Sequence, residues 1–333
     1  MDKTRKKSDV MIHAGVEAAR NIRNVTTRIN LFMQQPLLIQ IKTADSLTLP
    51  GLLYQAKNSK KVLTSLHGNG SSSIFYHDDL MADFAQVLDE AGISLLMFNN
   101  RGAHYIKKLN VEKEDGTIER KQFGMAYELI KDCVYDIDGA INFLKKEGYN
   151  EYYLIGFSTG ANKICVYDHY KPKNAVARYI LAGGGDDIGL YYQEFGKEKF
   201  LRLLKESRQK IRQGKGEELI CELLPDIIFS YQAFFDTINA DGDYNTFPFL
   251  EAMGQANLST KPLFRYFKGI KKQTLVVYGE KDEYQYDDVK RVVSLLQQQQ
   301  PTFAYDIIQD ADHGFSIKQK ELAEVVVEWL QKT

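Results

Sequence analysis

The chain has 333 residues, 44% hydrophobic and 26% charged, with 43 basic against 44 acidic side chains and a formal net charge of −1. At roughly 150 residues per domain, this length suits about two domains or one large α/β domain with an insertion, and the composition excludes global disorder and collagen-like repeats. The balanced charge removes any general attraction to nucleic acid or an anionic membrane, both of which need clustered Lys and Arg.

An arm carrying Lys3, Arg5, Lys6 and Lys7 opens the chain and is expected to be helical through about residue 28. No apolar run of signal-peptide length follows it, and no stretch approaches the ~18 apolar residues needed to span a bilayer. Cys133, Cys165 and Cys221 are odd in number and far apart, which points to reduced thiols and a cytoplasmic protein. Without Cys-x-x-Cys or His-x-x-x-His spacing they do not suggest zinc, and no metal is expected.

Two extended segments, 37–42 and 47–55, are joined by a polar turn around Asp45 and read as an antiparallel pair. From Lys61 apolar strands alternate with helical periodicity, the pattern of a parallel sheet with right-handed crossovers. Strands are expected at 62–66 and 93–98 with a helix at 80–88 between them. The stretch 106–123 breaks this rhythm around Asp115-Gly116 and reads as a surface hairpin. A helix over 129–144, a strand at 152–155, a helix at 161–170 and a strand at 178–182 follow, the last closing in Gly183, Gly184 and Gly185. Residues 188–269 read as mostly helical and rich in aromatics. Strands at 275–278 and 304–308, each followed by a helix, complete the chain.

The sharpest motif is Gly156-Phe157-Ser158-Thr159-Gly160, set between a strand and a helix. A serine on so tight a turn holds its Oγ clear of the backbone, and small residues two positions away on each side keep strand and helix from colliding. Such a nucleophile needs a base oriented by a carboxylate. His313, in the loop after the last strand, and Asp282, after the strand before it, fall in those slots, giving the order Ser158, Asp282, His313. Asp186 and Asp187 are an alternative place for the acid. Two backbone donors must hold an oxyanion. Thr159 N–H follows the nucleophile, and Asn69 N–H lies in His67-Gly68-Asn69-Gly70 after the first parallel strand, with Gly70 as its alternative. His67 itself is expected to be structural.

These residues, together with Asn99-Asn100-Arg101-Gly102 and His313-Gly314-Phe315, resemble an α/β-hydrolase fold serine hydrolase over about residues 37–330. More narrowly, Phe157-Ser158-Thr159-Gly160-Ala161 with Lys163 resembles the subgroup that includes fungal siderophore esterases. Phe157 departs from the histidine often found before the serine, and Asn100 stands where many relatives carry Asp, so no catalytic role is assigned to it. The resemblance implies a Ser158–His313–Asp282 triad, hydrolysis of carboxylic esters through an acyl-enzyme, no cofactor and a helical cap. The expected architecture is a mostly parallel eight-stranded sheet with helices on both faces. It comprises an N-terminal arm at 1–36, a core at 37–187 with the insertion 106–123, a cap at 188–269 and the rest of the core at 270–333. A thioesterase or acyl peptidase would use the same triad, and a non-catalytic binding protein of this fold is the rival from another class. The expected partner is a small ester or acyl substrate; oligomeric state is left open.

Arg101, His104 and Phe157 are named as substrate contacts, with ordinary loop salt bridging as the alternative for Arg101 and His104. Asp241, Asp243 and Asn245 begin like a calcium loop, but Thr246 and Ala252 stand where its glycine and glutamate belong. The aromatics Phe229, Tyr231, Phe234, Phe235, Phe247 and Phe249 are expected to pack the cap's own core.

Overall fold

The computed structural model describes residues 35–332 apart from 71, 77 and 287, so the expected N-terminal helix lies outside the described residues. The described chain runs β1 (Leu37–Lys42), β2 (Thr48–Tyr54), β3 (Lys61–Leu66), α1 (Asp78–Glu90), β4 (Ile93–Phe98), β5 (Lys107–Glu112), β6 (Ile118–Phe123), α2 (Cys133–Lys146), β7 (Glu151–Phe157) and α3 (Thr159–Tyr170). It continues with β8 (Val176–Ala182), α4 (Asp187–Arg212), α5 (Tyr231–Ile238), α6 (Phe249–Ala252), α7 (Arg265–Gly269), β9 (Gln273–Gly279), α8 (Val289–Gln299), β10 (Ala304–Ile308) and α9 (Gln319–Gln331).

Eight strands form one sheet in the order β1-β2-β4-β3-β7-β8-β9-β10, with the β1–β2 and β2–β4 pairs antiparallel and the rest parallel. Strands β4, β3, β7, β8 and β9 are buried over most of their length, as a sheet covered on both faces requires. In β7, Leu154 packs into the core that holds Ile137 and Ile164, whereas Tyr153 and Ile155 pack with Phe84, Leu88, Leu322 and Val326. Helices α1 and α9 therefore cover one face, and α2, α3 and α8 the other. The mostly parallel sheet and two-faced cover are those of the expected α/β-hydrolase fold.

The insertion is a separate antiparallel hairpin of β5 and β6. Its turn has Gly116 at φ 79° and an Asp115 carboxylate accepting from Thr117 N–H at 2.9 Å. Residues 188–269 hold helices and no named strand, and their packing divides. Ile188, Phe200, Phe229, Phe234 and Ile238 form a satellite core with Met125. Phe247 and Phe249 instead join the core of the main sheet, contrary to the expectation that they fill the cap. Their room comes from the glycine run after β8: a Cβ on Gly184 would lie 2.6 Å from the Phe247 ring.

Register sets where the chemistry collects. Leu66 pairs with Gly156, Phe157 with Ala182 and Ile308 with Gly279, so the loops leaving β3, β7, β8, β9 and β10 emerge at one edge. Among the described residues, no helix is long and apolar enough to cross a membrane.

Candidate active site

Ser158 sits between β7 and α3 with φ 54° and ψ −125°, a strained conformation for a residue with a side chain. Its N–H donates to Ala182 O at 2.8 Å and its carbonyl accepts from Ala161 N–H at 2.8 Å, which pins the turn at both ends. The flanking glycines are demanded by backbone, which cannot yield. A Cβ on Gly156 would overlap the Gly160 carbonyl, and one on Gly160 would overlap the Leu66 carbonyl.

His313 Nδ1 meets the Asp282 carboxylate at 2.9 and 3.0 Å, and Asp282 is 2% exposed. The carboxylate also accepts from Tyr284 N–H at 3.0 Å and Gln285 Nε2 at 3.4 Å, so its orientation is fixed from its own loop. A carboxylate against Nδ1 selects the Nδ1–H tautomer and leaves Nε2 with the lone pair. Burial alone would lower the His313 pKa. The hydrogen bond to Asp282 and the charges of Asp282, Glu283 and Asp187 outweigh it, and the pKa stands above the ordinary imidazole value. Ser158 and His313 line one cavity of about 300 Å³. Among the described residues Ser158 Oγ and His313 Nε2 are not hydrogen-bonded to each other; such bonds often tighten only around a substrate.

The loop after β3 lies against the nucleophile, since a Cβ on Gly68 would sit 2.9 Å from Ser158 Cβ. Gly70, at φ 81°, turns its N–H onto Met125 Sδ at 3.2 Å and is thereby occupied. The N–H groups of Asn69 and Thr159 have no acceptor among the described residues. Thr159 is the first residue of α3, where helix geometry leaves N–H groups unpaired and the helix dipole favours negative charge. His67 donates from Nδ1 to Gly68 O at 2.8 Å, as a residue that ties the loop down. Burial, followed by the charge of Lys163, pushes its pKa down to about 3, so it is neutral. Lys163 in turn is buried on Glu128 at 2.7 Å.

The expected substrate contacts fare differently. Phe157 lines the cavity, edge-on to Phe84 and Phe315. Arg101 does not line it: its guanidinium is buried on Asp136 at 2.8 Å, Asp45 at 2.9 Å and Asp132 at 3.4 Å. That occupancy makes it a structural cation rather than a substrate contact. His104 also lies off the cavity wall, its Nδ1 paired with Tyr76 OH at 2.7 Å. Asp186 caps α4, accepting from Gly189 N–H at 2.8 Å, Leu250 N–H at 2.7 Å and Tyr286 OH at 3.0 Å, and so is not the partner of His313. Asp187 lies near enough to act on His313 electrostatically, and its carboxyl is pushed up to about 7 by burial and by the charge of Asp186. Among the described residues no acidic, His or Cys cluster could hold a metal ion.

One feature of the site had no sequence signal. Tyr244, from the segment between α5 and α6, accepts from Asn69 Nδ2 at 3.0 Å and donates to Thr159 Oγ1 at 3.4 Å. Its contacts are 175 and 85 residues away along the chain, beyond the reach of any local pattern.

The family described as "Protein of unknown function (DUF1749)" matches residues 123–332. No curated protein matches the sequence. Among solved structures, the chain is similar to the esterase Pf2001 of Pyrococcus furiosus, with 17% identity, 90% of this chain and 92% of that one covered, and a TM-score of 0.52. It is similar to Est1E of Butyrivibrio proteoclasticus at 13% identity, with 88% and 97% covered and a TM-score of 0.56. The carboxylesterase CesB of Bacillus subtilis shares 14% identity over 94% and 98% of the two chains, with a TM-score of 0.52. At these identities the likeness is one of fold.

Proposed function

The chain belongs to the DUF1749 family, and for this member we propose serine-dependent hydrolysis of carboxylic esters through an acyl-enzyme. The observation that carries the reading is one cavity wall shared by a serine on a strained βα turn and a histidine whose far nitrogen is held by a buried aspartate. Ser158 Oγ attacks the ester carbonyl carbon as His313 Nε2 takes its proton. Asp282 keeps the imidazole in the required tautomer and stabilises its cation. The N–H groups of Asn69 and Thr159 hold the oxyanion, and collapse breaks the bond to the alcohol, which leaves with the proton from His313. Water then attacks the acyl-enzyme with His313 as base, returning free Ser158 and a carboxylic acid. No step calls for a cofactor.

The cavity suggests what the acyl part is. Phe157, Ile74, Phe84, Met97 and Leu322 supply its apolar lining. Its polar lining is serines, His67, Asn69, His313 and Gln319, and among the described lining residues none carries a carboxylate or ammonium group. A volume of about 300 Å³ equals roughly ten liquid-water volumes, so an uncharged acyl group of up to about ten heavy atoms fits. The test is a panel of aryl esters of increasing acyl length, with matched thioesters and aminoacyl amides, on wild type and Ser158→Ala. Short and medium esters should turn over fastest, and the variant should lose at least about a thousandfold. A folded variant retaining a tenth of the activity overturns the nucleophile assignment; amides or thioesters dominating overturns the ester class.

A further inference from the structure

The polar turn that begins like a calcium loop has another use. Asp243 accepts from Tyr170 OH at 2.8 Å and also from Tyr266 OH, while Arg265 donates to the Gly242 carbonyl. Asp241 accepts from Thr260 N–H at 2.7 Å and Lys261 N–H at 3.0 Å, and Asn245 donates to Ala240 O at 2.8 Å and Ser259 Oγ at 2.9 Å. Every acidic side chain of the turn is thus spent on protein donors. What the turn presents, clamped from both sides, is Tyr244, whose ring is buried in the main core.

We infer that Tyr244 is a positioning residue that sets the spacing of the two oxyanion donors. The inference rests on the esterase reading above, in which Asn69 and Thr159 supply those donors. One hydroxyl bonds the side chains of both residues, and it is the sole hydrogen-bond partner of either side chain among the described residues. The need is greatest at Asn69. It lies between Gly68 and Gly70, which restrain the backbone least, and among the described residues the one further direct tie beyond the Tyr244 bond is Ser72 Oγ, donating to Asn69 O at 2.7 Å. Thr159 is already fixed by the helix it starts. Tyr244 therefore references a pliable donor to a rigid one, and it acts from a segment that sequence analysis places in the cap. Without the hydroxyl, Asn69 N–H samples positions away from the oxyanion, and the transition state loses more than the bound ester does.

The experiment is Tyr244→Phe, which keeps the ring and removes only the hydroxyl. Expected are a fall in kcat of about tenfold, KM within about twofold, and an unchanged midpoint for the acid limb of the pH profile, because His313 and Asp282 are untouched. A second variant, Asn69→Ala, removes the side chain through which Tyr244 acts. In that background Tyr244→Phe should cost at most about twofold. A folded Tyr244→Phe with kcat within twofold of wild type overturns the inference, as does a full tenfold loss that persists in the Asn69→Ala background. If Tyr244→Phe does not fold, Asn69→Ala alone decides: kcat must fall with KM held, and unchanged kcat overturns the inference. Labelling of wild type with a fluorophosphonate separates the levels. Failure to modify Ser158 overturns the esterase reading and the inference with it, whereas a labelled wild type with an unimpaired Tyr244→Phe overturns the inference alone.

Discussion

Replacing Arg101 by Met distinguishes a structural cation from a substrate contact. The guanidinium donates from Nε and Nη2 to Asp136 Oδ1 at 3.0 and 2.8 Å, and its Nη1 lies 2.9 Å from Asp45. Asp136 is 1% exposed, and among the described residues its other oxygen accepts only the Arg101 backbone N–H at 2.8 Å. Methionine fills similar volume but leaves that buried carboxylate without a counter-charge. Breaking a buried pair from one side costs about 3–5 kcal/mol, a large part of a typical folding stability of about 5–15 kcal/mol. At about 2–3 °C per kcal/mol for a chain of this size, the melting temperature should fall on the order of 6–15 °C. Circular dichroism melts measure that fall, and ester kinetics well below the melt should show KM within about twofold of wild type. Adding Asp136→Asn removes the stranded charge, so the double variant should be more stable than the sum of the single losses by about 1–3 kcal/mol. A melting temperature within about 2 °C of wild type, combined with a tenfold rise in KM, would refute this account and return Arg101 to the substrate.

The pH profile follows from His313. Its folded pKa is raised, and only the neutral imidazole accepts the Ser158 proton, so kcat/KM should climb with a midpoint above about 6.5. The linked stability runs the other way: the His313–Asp282 pair stabilises the fold fully below about 6.5, and that contribution is lost as pH rises through the folded value. Melts of wild type and His313→Gln across pH 5–9 should converge at the alkaline end; a gap that widens there would contradict the pairing. Gly68→Ala puts a methyl 2.9 Å from Ser158 Cβ, so it should cut kcat at least about tenfold while the far-ultraviolet spectrum is kept, and unchanged turnover would disprove that close approach.

The elements and the elbow were legible because their signals are local. Strand 304–308 appears with its own bounds, and the Gly156/Gly160 spacing around Ser158 meets the steric demand found at Leu66 and Gly160. The pairing of Asp282 with His313 was readable for the same reason: each residue leaves a recognisable strand. For Arg101 the salt-bridging alternative is the one the structure supports, but its partners Asp136 and Asp45 lie 35 and 56 residues away and no local pattern names them. Phe247 and Phe249 were placed with the wrong core because an aromatic residue signals burial but not the surface it is buried against. Tyr244 was missed for a related reason: its hydroxyl meets Asn69 in one loop and Thr159 at the start of α3, both far from it along the chain.

The central claim is that Ser158 is an activated nucleophile. A fluorophosphonate, applied to wild type and Ser158→Ala and followed by peptide mapping, tests it most directly. The account predicts one covalent phosphonyl group, on Ser158, absent from the variant and slowed when His313 is replaced. Attachment at another residue, or labelling that persists in Ser158→Ala, would contradict it.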